Sequence, residues 1–247
     1  MKRIFGLLHN LFHSFIEFLF PSSCPVCGAP VSTHGELCAD CWTTFSWISN
    51  PKCIKCGYPF PANIDLGDRP LCPVCAAGDC VLDFIRAACV YDEVSRSVML
   101  PFKHSGKIKY ARFMSRAMIW ALRDMKESPD VVMPVPLAWR RLCHRGYNQA
   151  TLLAKPIAAA IGVKIDIGSV RRIYRPDMGH KNAVQRAENI KGVFKVVRPD
   201  KIRGRKILLV DDVMTTGATF AELKKVLMKA GASAVYGVVF CRVIRAI

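Results

Sequence analysis

The chain has 247 residues, 51% of them hydrophobic, and carries 36 lysines and arginines against 19 aspartates and glutamates, a formal net charge of +17. This length suits one ordinary domain with a smaller module attached, and no apolar run approaches the roughly 20 residues of a membrane-spanning helix. So basic a balance suits an anionic partner, either a sugar phosphate or a nucleic acid, and does not suit an acidic, disordered solvating chain.

The first element is an amphipathic stretch. Met1 to Leu8 superficially suggests a signal peptide, but His9, Asn10, His13, Ser14 and Glu17 interrupt the apolar run, and no small-x-small cleavage site precedes Pro21. Ile4, Leu8, Leu11, Phe12, Phe15, Ile16 and Leu19 share one helical face, so residues 1–20 are expected to form a helix packed on the protein's own body. A surface contact with membrane is the alternative. A cytoplasmic location is expected.

Residues 21–80 are defined by cysteine. Of twelve cysteines, eight fall in four Cys-x-x-Cys pairs: Cys24/Cys27, Cys38/Cys41, Cys53/Cys56 and Cys72/Cys75. Two such pairs complete a four-sulfur tetrahedral zinc site, so two structural Zn²⁺ ions are expected. Sequential pairing gives Cys24, Cys27, Cys38 and Cys41 as one site and Cys53, Cys56, Cys72 and Cys75 as the other. The spacing leaves a cross-braced arrangement open. Cys80 and His34 are the candidate substitute ligands, whereas Cys89, Cys143 and Cys241 read as small core residues. A disulfide framework would need an oxidising compartment and a secretory signal.

Charge separates this module from the rest. Residues 1–80 hold five basic and six acidic side chains, while 140–206 alone hold seventeen basic and four acidic. Four thiolates on each zinc leave about −2 per site, which makes the module acidic. A protein-docking or internal-scaffold role therefore suits it better than gripping nucleic acid.

From residue 81 to 247 the pattern is that of an α/β domain. A first strand is expected within Leu82 to Asp92, helices over Ser95 to Phe102 and Tyr110 to Met125, and a strand over Val131 to Pro136 that ends in prolines. Asn148 to Ile161 has helical spacing, with Pro156 expected to kink or split it. Lys206 to Val210 reads as a strand buried on both faces, with Asp211 and Asp212 at its carboxyl end, where open α/β sheets bind ligands. Val213, Met214, Thr215, Thr216, Gly217, Ala218 and Thr219 form a small, hydroxyl-rich turn opening a helix, suited to an anion. Phe220, Leu223, Val226 and Leu227 mark that helix, Gly231 its stop, and Ala234 to Phe240 a further strand. Two acids can accept hydrogen bonds from neighbouring hydroxyls or hold a hydrated divalent cation. Neither a Walker loop nor a Gly-x-Gly-x-x-Gly turn is present.

A hydrophobic strand, Asp-Asp and Thr-Thr-Gly-x-Thr resemble the loop of type I phosphoribosyltransferases that binds 5-phosphoribosyl-1-pyrophosphate (PRPP). Two Cys-x-x-Cys ribbons, Pro-Val-Pro-Leu, Arg-Gly-Tyr-Asn-Gln and that loop, in this order, resemble the ComF (competence protein F, GntX-related) family from about Phe18 to Arg242. The resemblance implies a type I phosphoribosyltransferase-like parallel sheet flanked by helices, behind a cysteine-rich double zinc ribbon. It implies Asp211 and Asp212 as ribose ligands, Val213 to Thr219 as the phosphate cradle, and Pro134, Val135, Pro136 and Leu137 as the pyrophosphate-contacting turn. Arg145, with Asn148 and Gln149, and Lys103 are the nearby polar and basic candidates, with Mg²⁺ accompanying PRPP.

Members often carry a Thr/Gln-containing segment before Arg-x-x-Asn-x-x-x-Phe. Here Arg186 to Phe194 matches the second half, while Asp177 to Asn182 departs from the first. A lid is expected around 174–186, and Arg186 is equally an exposed helix charge.

Three functional readings follow. One is a transferase with an unidentified acceptor, supporting natural competence and DNA uptake. Another is a PRPP-binding regulator without turnover. The third is an adaptor that uses the basic 140–206 region for single-stranded DNA or competence proteins.

Overall fold

The structure, a computed structural model, describes residues 21–63, 67–104, 109–173 and 190–244. The expected N-terminal helix and the expected lid with Arg186 fall outside these residues.

In chain order the elements are α1 (Ala39–Thr44), α2 (Pro73–Ala76), β1 (Phe84–Val90), α3 (Glu93–His104), α4 (Lys109–Ala121), β2 (Val131–Pro134), α5 (Trp139–Arg145), α6 (Gln149–Ile161), β3 (Lys164–Ile165), β4 (Val170–Arg172), β5 (Phe194–Val196), β6 (Lys206–Met214), α7 (Ala218–Lys229) and β7 (Ala234–Arg242). Five strands form one sheet in the order β1-β7-β6-β2-β3, and every pairing in it is parallel. A separate antiparallel ribbon joins β4 to β5.

The all-apolar run predicts a strand covered on both faces, and β6 sits at the centre with Ile207, Leu208, Leu209 and Val210 fully buried. Leu208 and Val210 face a core layer with Phe102, Met114, Met118 and Leu153. Ile207 and Leu209 face a second layer with Phe220, Leu223 and Leu227. Helices on both faces are what a parallel sheet requires, because each crossover must pass over it.

Two differences from the sequence expectation have physical causes. The strand β6 continues to Met214 because β7 pairs with it that far, from Lys206↔Ala234 to Met214↔Arg242, whereas β2 leaves it at Pro134↔Val210. Asp211 and Asp212 are thus inside β6 but just past the point where its other neighbour has ended. Meanwhile α6 runs unbroken through Pro156. Proline's fixed φ is itself helical; one lost hydrogen bond and a local clash are the cost. Burial of Leu153, Ala154, Ile157 and Ala158 along one face offsets them.

The cysteine module covers the β1 edge of the sheet. Ile48 donates to the Ala88 carbonyl and Val90 to the Ser46 carbonyl, both at 2.9 Å, with Trp47 bridged antiparallel to Cys89. This short added rung satisfies backbone groups that an exposed edge would offer to another chain. The opposite edge, β3, is only two residues long.

Candidate functional site

The Asp-Asp loop begins where β6 outruns β2. The Asp212 side chain is 11% exposed and meets Lys103 at the end of α3, with Nζ to Oδ2 at 3.2 Å. Asp211 is half-buried by accessible area, yet densely surrounded. Burial and the neighbouring Asp212 charge push its carboxyl up to about 7, while the Asp212 N–H, Lys103 and Arg172 pull it down. Its Oδ1 accepts from the Asp212 N–H at 2.9 Å. Two adjacent acids in a shielded place thus share an incompletely neutralised charge. A donor pair or a cation would relieve it.

The turn beyond them is shaped for close approach. Gly217, at φ +79°, stands at the N-cap of α7, a conformation that favours glycine. A Cβ there would lie 3.1 Å from Val81, which belongs to the linker out of the cysteine module. Thr216 Oγ1 accepts from the Ala218 N–H at 3.3 Å, while Thr215 is exposed and Thr216 half-buried. Met214 is 7% exposed and packs in the α7-side core layer with Phe220. Val213 packs against the opposite layer.

The Arg-Gly-Tyr-Asn-Gln segment braces this site. Tyr147 Oη donates to the Phe102 carbonyl at 2.7 Å, and Gln149 Nε2 to the Lys103 carbonyl at 3.3 Å. Asn148 caps α6 through Ala150 N and donates from Nδ2 to the Val135 carbonyl at 3.1 Å. One short segment therefore fixes both the backbone carrying Lys103 and the Pro134–Pro136 turn. Arg145, expected to help neutralise the pyrophosphate, ends α5. Its helix closes at Gly146, just before the bracing residues begin. Sequence reasoning missed Arg172, which ends β4 and lowers the Asp211 carboxyl through its charge. Only the fold reveals that proximity. Trp139, 70% exposed at the start of α5, was also missed, although a tryptophan beside paired arginines was visible.

Eight sulfurs form two groups. Cys24, Cys27, Cys38 and Cys41 lie within 4.8 Å of one another, as do Cys53, Cys56, Cys72 and Cys75; pairing is sequential, not cross-braced. The Cys27–Cys38 and Cys56–Cys72 sulfurs are 3.5 Å apart, close to the roughly 3.8 Å that tetrahedral Zn–S bonds of about 2.3 Å impose. In the first knuckle of each group a glycine N–H returns to the first cysteine's carbonyl, Gly28 to Cys24 and Gly57 to Cys53, both at 2.9 Å. The donor set and its packing suit two structural zinc ions. Among the remaining cysteines, Cys80 Sγ is 2.7 Å from Cys75 Sγ but outside the four-sulfur group. His34 is exposed and in neither group. Cys89 and Cys241 are fully buried, as expected of core residues. Cys143, expected to be one too, is exposed, because α5 turns that position outward.

The second ribbon is anchored by buried arginine. Arg86 of β1, 4% exposed, donates to the knuckle carbonyls of Ile54 at 2.9 Å and Lys55 at 3.2 Å, and its Nε meets both Asp124 oxygens at 3.0 Å. Lys52 completes the group, 3.3 Å from Asp124. From β7, Arg242 Nη1 donates to the Cys56 carbonyl. No helix among the described residues is long and apolar enough to cross a membrane.

Residues 109–246 match the phosphoribosyl transferase domain, and residues 15–76 match the double zinc ribbon domain. The DNA utilization protein YhgH of Escherichia coli (strain K12) is 29% identical over 224 residues, covering 89% of each chain. Competence protein F of Haemophilus influenzae is 33% identical over 137 residues, 53% of this chain and 60% of that protein. Competence protein ComFC of Streptococcus pneumoniae is 28% identical over 196 residues, 79% and 83% respectively. With the ordered cysteine groups, the parallel sheet and the Asp-Asp turn, these matches place the chain in the ComF/YhgH family, a phosphoribosyl transferase domain behind a double zinc ribbon.

Proposed function

We propose that the chain binds PRPP through the Asp211–Thr219 loop and serves DNA uptake or use, the role that its relatives' names describe. The observation that carries this is the acid pair standing past the end of β2, beside Lys103 and in front of a glycine-capped, threonine-rich turn. In this reading Asp211 and Asp212 accept hydrogen bonds from the ribose 2′ and 3′ hydroxyls. The backbone amides and threonine hydroxyls of 215–219 hold the 5′-phosphate, as a helix N-terminus favours.

If turnover follows, the bond from the anomeric carbon to pyrophosphate breaks while one to the acceptor forms. Charge develops on both the ring and the leaving group, so positioning and electrostatics carry the rate. The acid pair biases the field towards a cationic ring, and Lys103 tempers it. Mg²⁺ bound with PRPP would supply countercharge to the pyrophosphate, near Asp211 and Asp212. The acceptor has no signature among the described residues; a binding regulator without turnover uses the same contacts.

Calorimetry with PRPP and Mg²⁺ tests this reading. Asp211→Asn/Asp212→Asn is expected to weaken binding at least about tenfold, equivalent to one lost charge-assisted pair; unchanged affinity refutes the site. The pH dependence gives a second check. Asp211 must be ionised to accept two hydroxyl donors, and its carboxyl sits near 7. Affinity therefore rises by up to about tenfold between pH 6 and 8, and Asp211→Asn flattens that rise. The same group acts on stability with opposite sense. Between roughly pH 4 and 7 the native state holds a proton that the unfolded chain has lost, so its contribution to stability falls as pH rises through that window.

A second reading has one specific observation in favour. Trp139 is 70% exposed on a helix reading Trp-Arg-Arg, and exposed aromatics flanked by arginine stack single-stranded bases. Single-strand binding that weakens steeply with salt and is lost on Trp139→Ala would establish it.

A further inference from the structure

A fifth thiol stands beside the second four-sulfur group. Cys80 Sγ lies 2.7 Å from Cys75 Sγ, closer than the 3.5 Å between the ligand sulfurs of Cys56 and Cys72. The turn that closes α2 puts it there. Gly78, at φ +90°, reverses the chain, and the Asp79 N–H returns to the Val74 carbonyl at 3.1 Å, so the next residue comes back beside the helix. The first ribbon has no counterpart, because residues 21–50 contain its four cysteines and no fifth. Cys80 lies outside the group suited to the metal. Its sulfur is therefore available for reaction, whereas a cysteine that holds zinc does so as a thiolate, which is also the nucleophilic form.

A cavity of about 250 Å³ between the second ribbon and the α/β body gives access to this pair. Cys75 and Cys80 line it, together with Val81, Thr215 and Thr216. A water's share of liquid is about 30 Å³, so a molecule as small as a peroxide enters easily. Cys75 is 2% exposed and Cys80 half-buried, so such a solute meets Cys80 first. We propose that Cys80 is an oxidation site, at which a peroxide converts the Cys75–Cys80 pair to a disulfide. The Cys80 sulfur attacks the peroxide and the O–O bond breaks, giving a sulfenic acid and one water. The Cys75 thiolate then attacks the Cys80 sulfur. The S–S bond forms, the S–O bond breaks, and the departing hydroxide takes a proton to become a second water. The two sulfurs give up two electrons, and the peroxide accepts them. Bonded sulfurs stand about 2.05 Å apart, so the pair closes with a shift of less than about 1 Å. Cys75 is then lost as a ligand, leaving three sulfurs where a structural zinc site takes four. Val81, the next residue in the chain, packs against Gly217, so the change reaches the threonine-rich turn. Only an effect on sugar-phosphate affinity rests on the function proposed above; the oxidation does not.

The test treats the zinc-loaded full chain with hydrogen peroxide, in a Cys143→Ser background that removes an exposed thiol. Peptide mass spectrometry is expected to find a Cys75–Cys80 disulfide, and a chromogenic chelator to register zinc from about one of the two sites per chain. Cys80→Ser is expected to slow that release about tenfold or more, because it removes the intramolecular partner. Dithiothreitol with added zinc restores the original metal content. Hydrogen exchange at residues 214–219 rises on oxidation, and does not rise in treated Cys80→Ser. Untreated Cys80→Ser keeps about two zinc ions; loss of one makes Cys80 a ligand and overturns the proposal. So does a disulfide that joins other cysteines, zinc release as fast in Cys80→Ser as in its parent, or exchange at the turn unchanged by oxidation.

Discussion

The two ribbons share a ligand pattern and differ in how they are held. The first docks through rings. Phe45 is 5% exposed and sits 5.5 Å from Phe113 and 6.3 Å from Phe240, and Trp47 stacks on Trp42 at 4.4 Å and on Phe45 at 5.0 Å. The second is gripped by charge, with Arg86, Lys52 and Asp124 below its knuckle and Arg242 beside it. Apolar docking is tolerant of small shifts, since it is non-directional. A buried ionic network is not, because each misplaced partner leaves a charge or carbonyl unmet. Loss of metal from the second ribbon is therefore the more disruptive to the sheet, and through Val81 it reaches the Gly217 turn.

The largest effect that probes this difference is loss of metal. Structural zinc supplies on the order of 10 kcal/mol to a small module. Protein purified without chelator should carry about two zinc ions per chain. Cys53→Ser should raise hydrogen exchange in β1 and β7, whereas Cys27→Ser should leave exchange in β7 unchanged. Equal exchange in both variants would erase the distinction between the ribbons.

Substitutions in the docking groups come next. Arg86→Leu leaves two knuckle carbonyls unmet and Asp124 with Lys52 alone, and should lower unfolding free energy by about 3 kcal/mol, with loss of the second zinc. Phe45→Ala should cost about 3 kcal/mol with both zinc ions retained, as denaturant titration and metal analysis would show. Zinc loss from the second site in Phe45→Ala would break the comparison. The smallest effect is expected at Arg116, 3.3 Å from Glu36 with both side chains more than 40% exposed. Arg116→Ala should change stability by less than about 1 kcal/mol, even though it removes the first ribbon's visible ion pair to α4.

Much of this was legible in the sequence because the determining signals are local. Cys-x-x-Cys spacing fixes which sulfurs can share a knuckle, a run such as Ile207 to Val210 is buried wherever it folds, and a Thr-Thr-Gly turn suits an anion whatever surrounds it. Sequential pairing of the knuckles was one of two arrangements open to the spacing, and packing chose it. Pro156 misled because propensity describes the isolated helix, whereas a buried face decided it. Cys143 misled because nothing in its immediate neighbours says which way α5 turns.

The sequence by itself determined the chemistry present: two sets of four thiols, an acid pair and a hydroxyl-rich turn, each set by residues within a few positions of one another. Tertiary structure alone decided which distant charges act on it. Lys103 reaches Asp212 from more than a hundred residues away, Arg172 depresses Asp211 from a different sheet, and Tyr147 and Gln149 hold the backbone that carries Lys103. Electrostatic coupling falls with distance in space, not along the chain, so residue order could not disclose these partners. The unmet Nε of Arg242 is likewise a property of packing, visible only once a zinc knuckle and a β-strand are brought together around it.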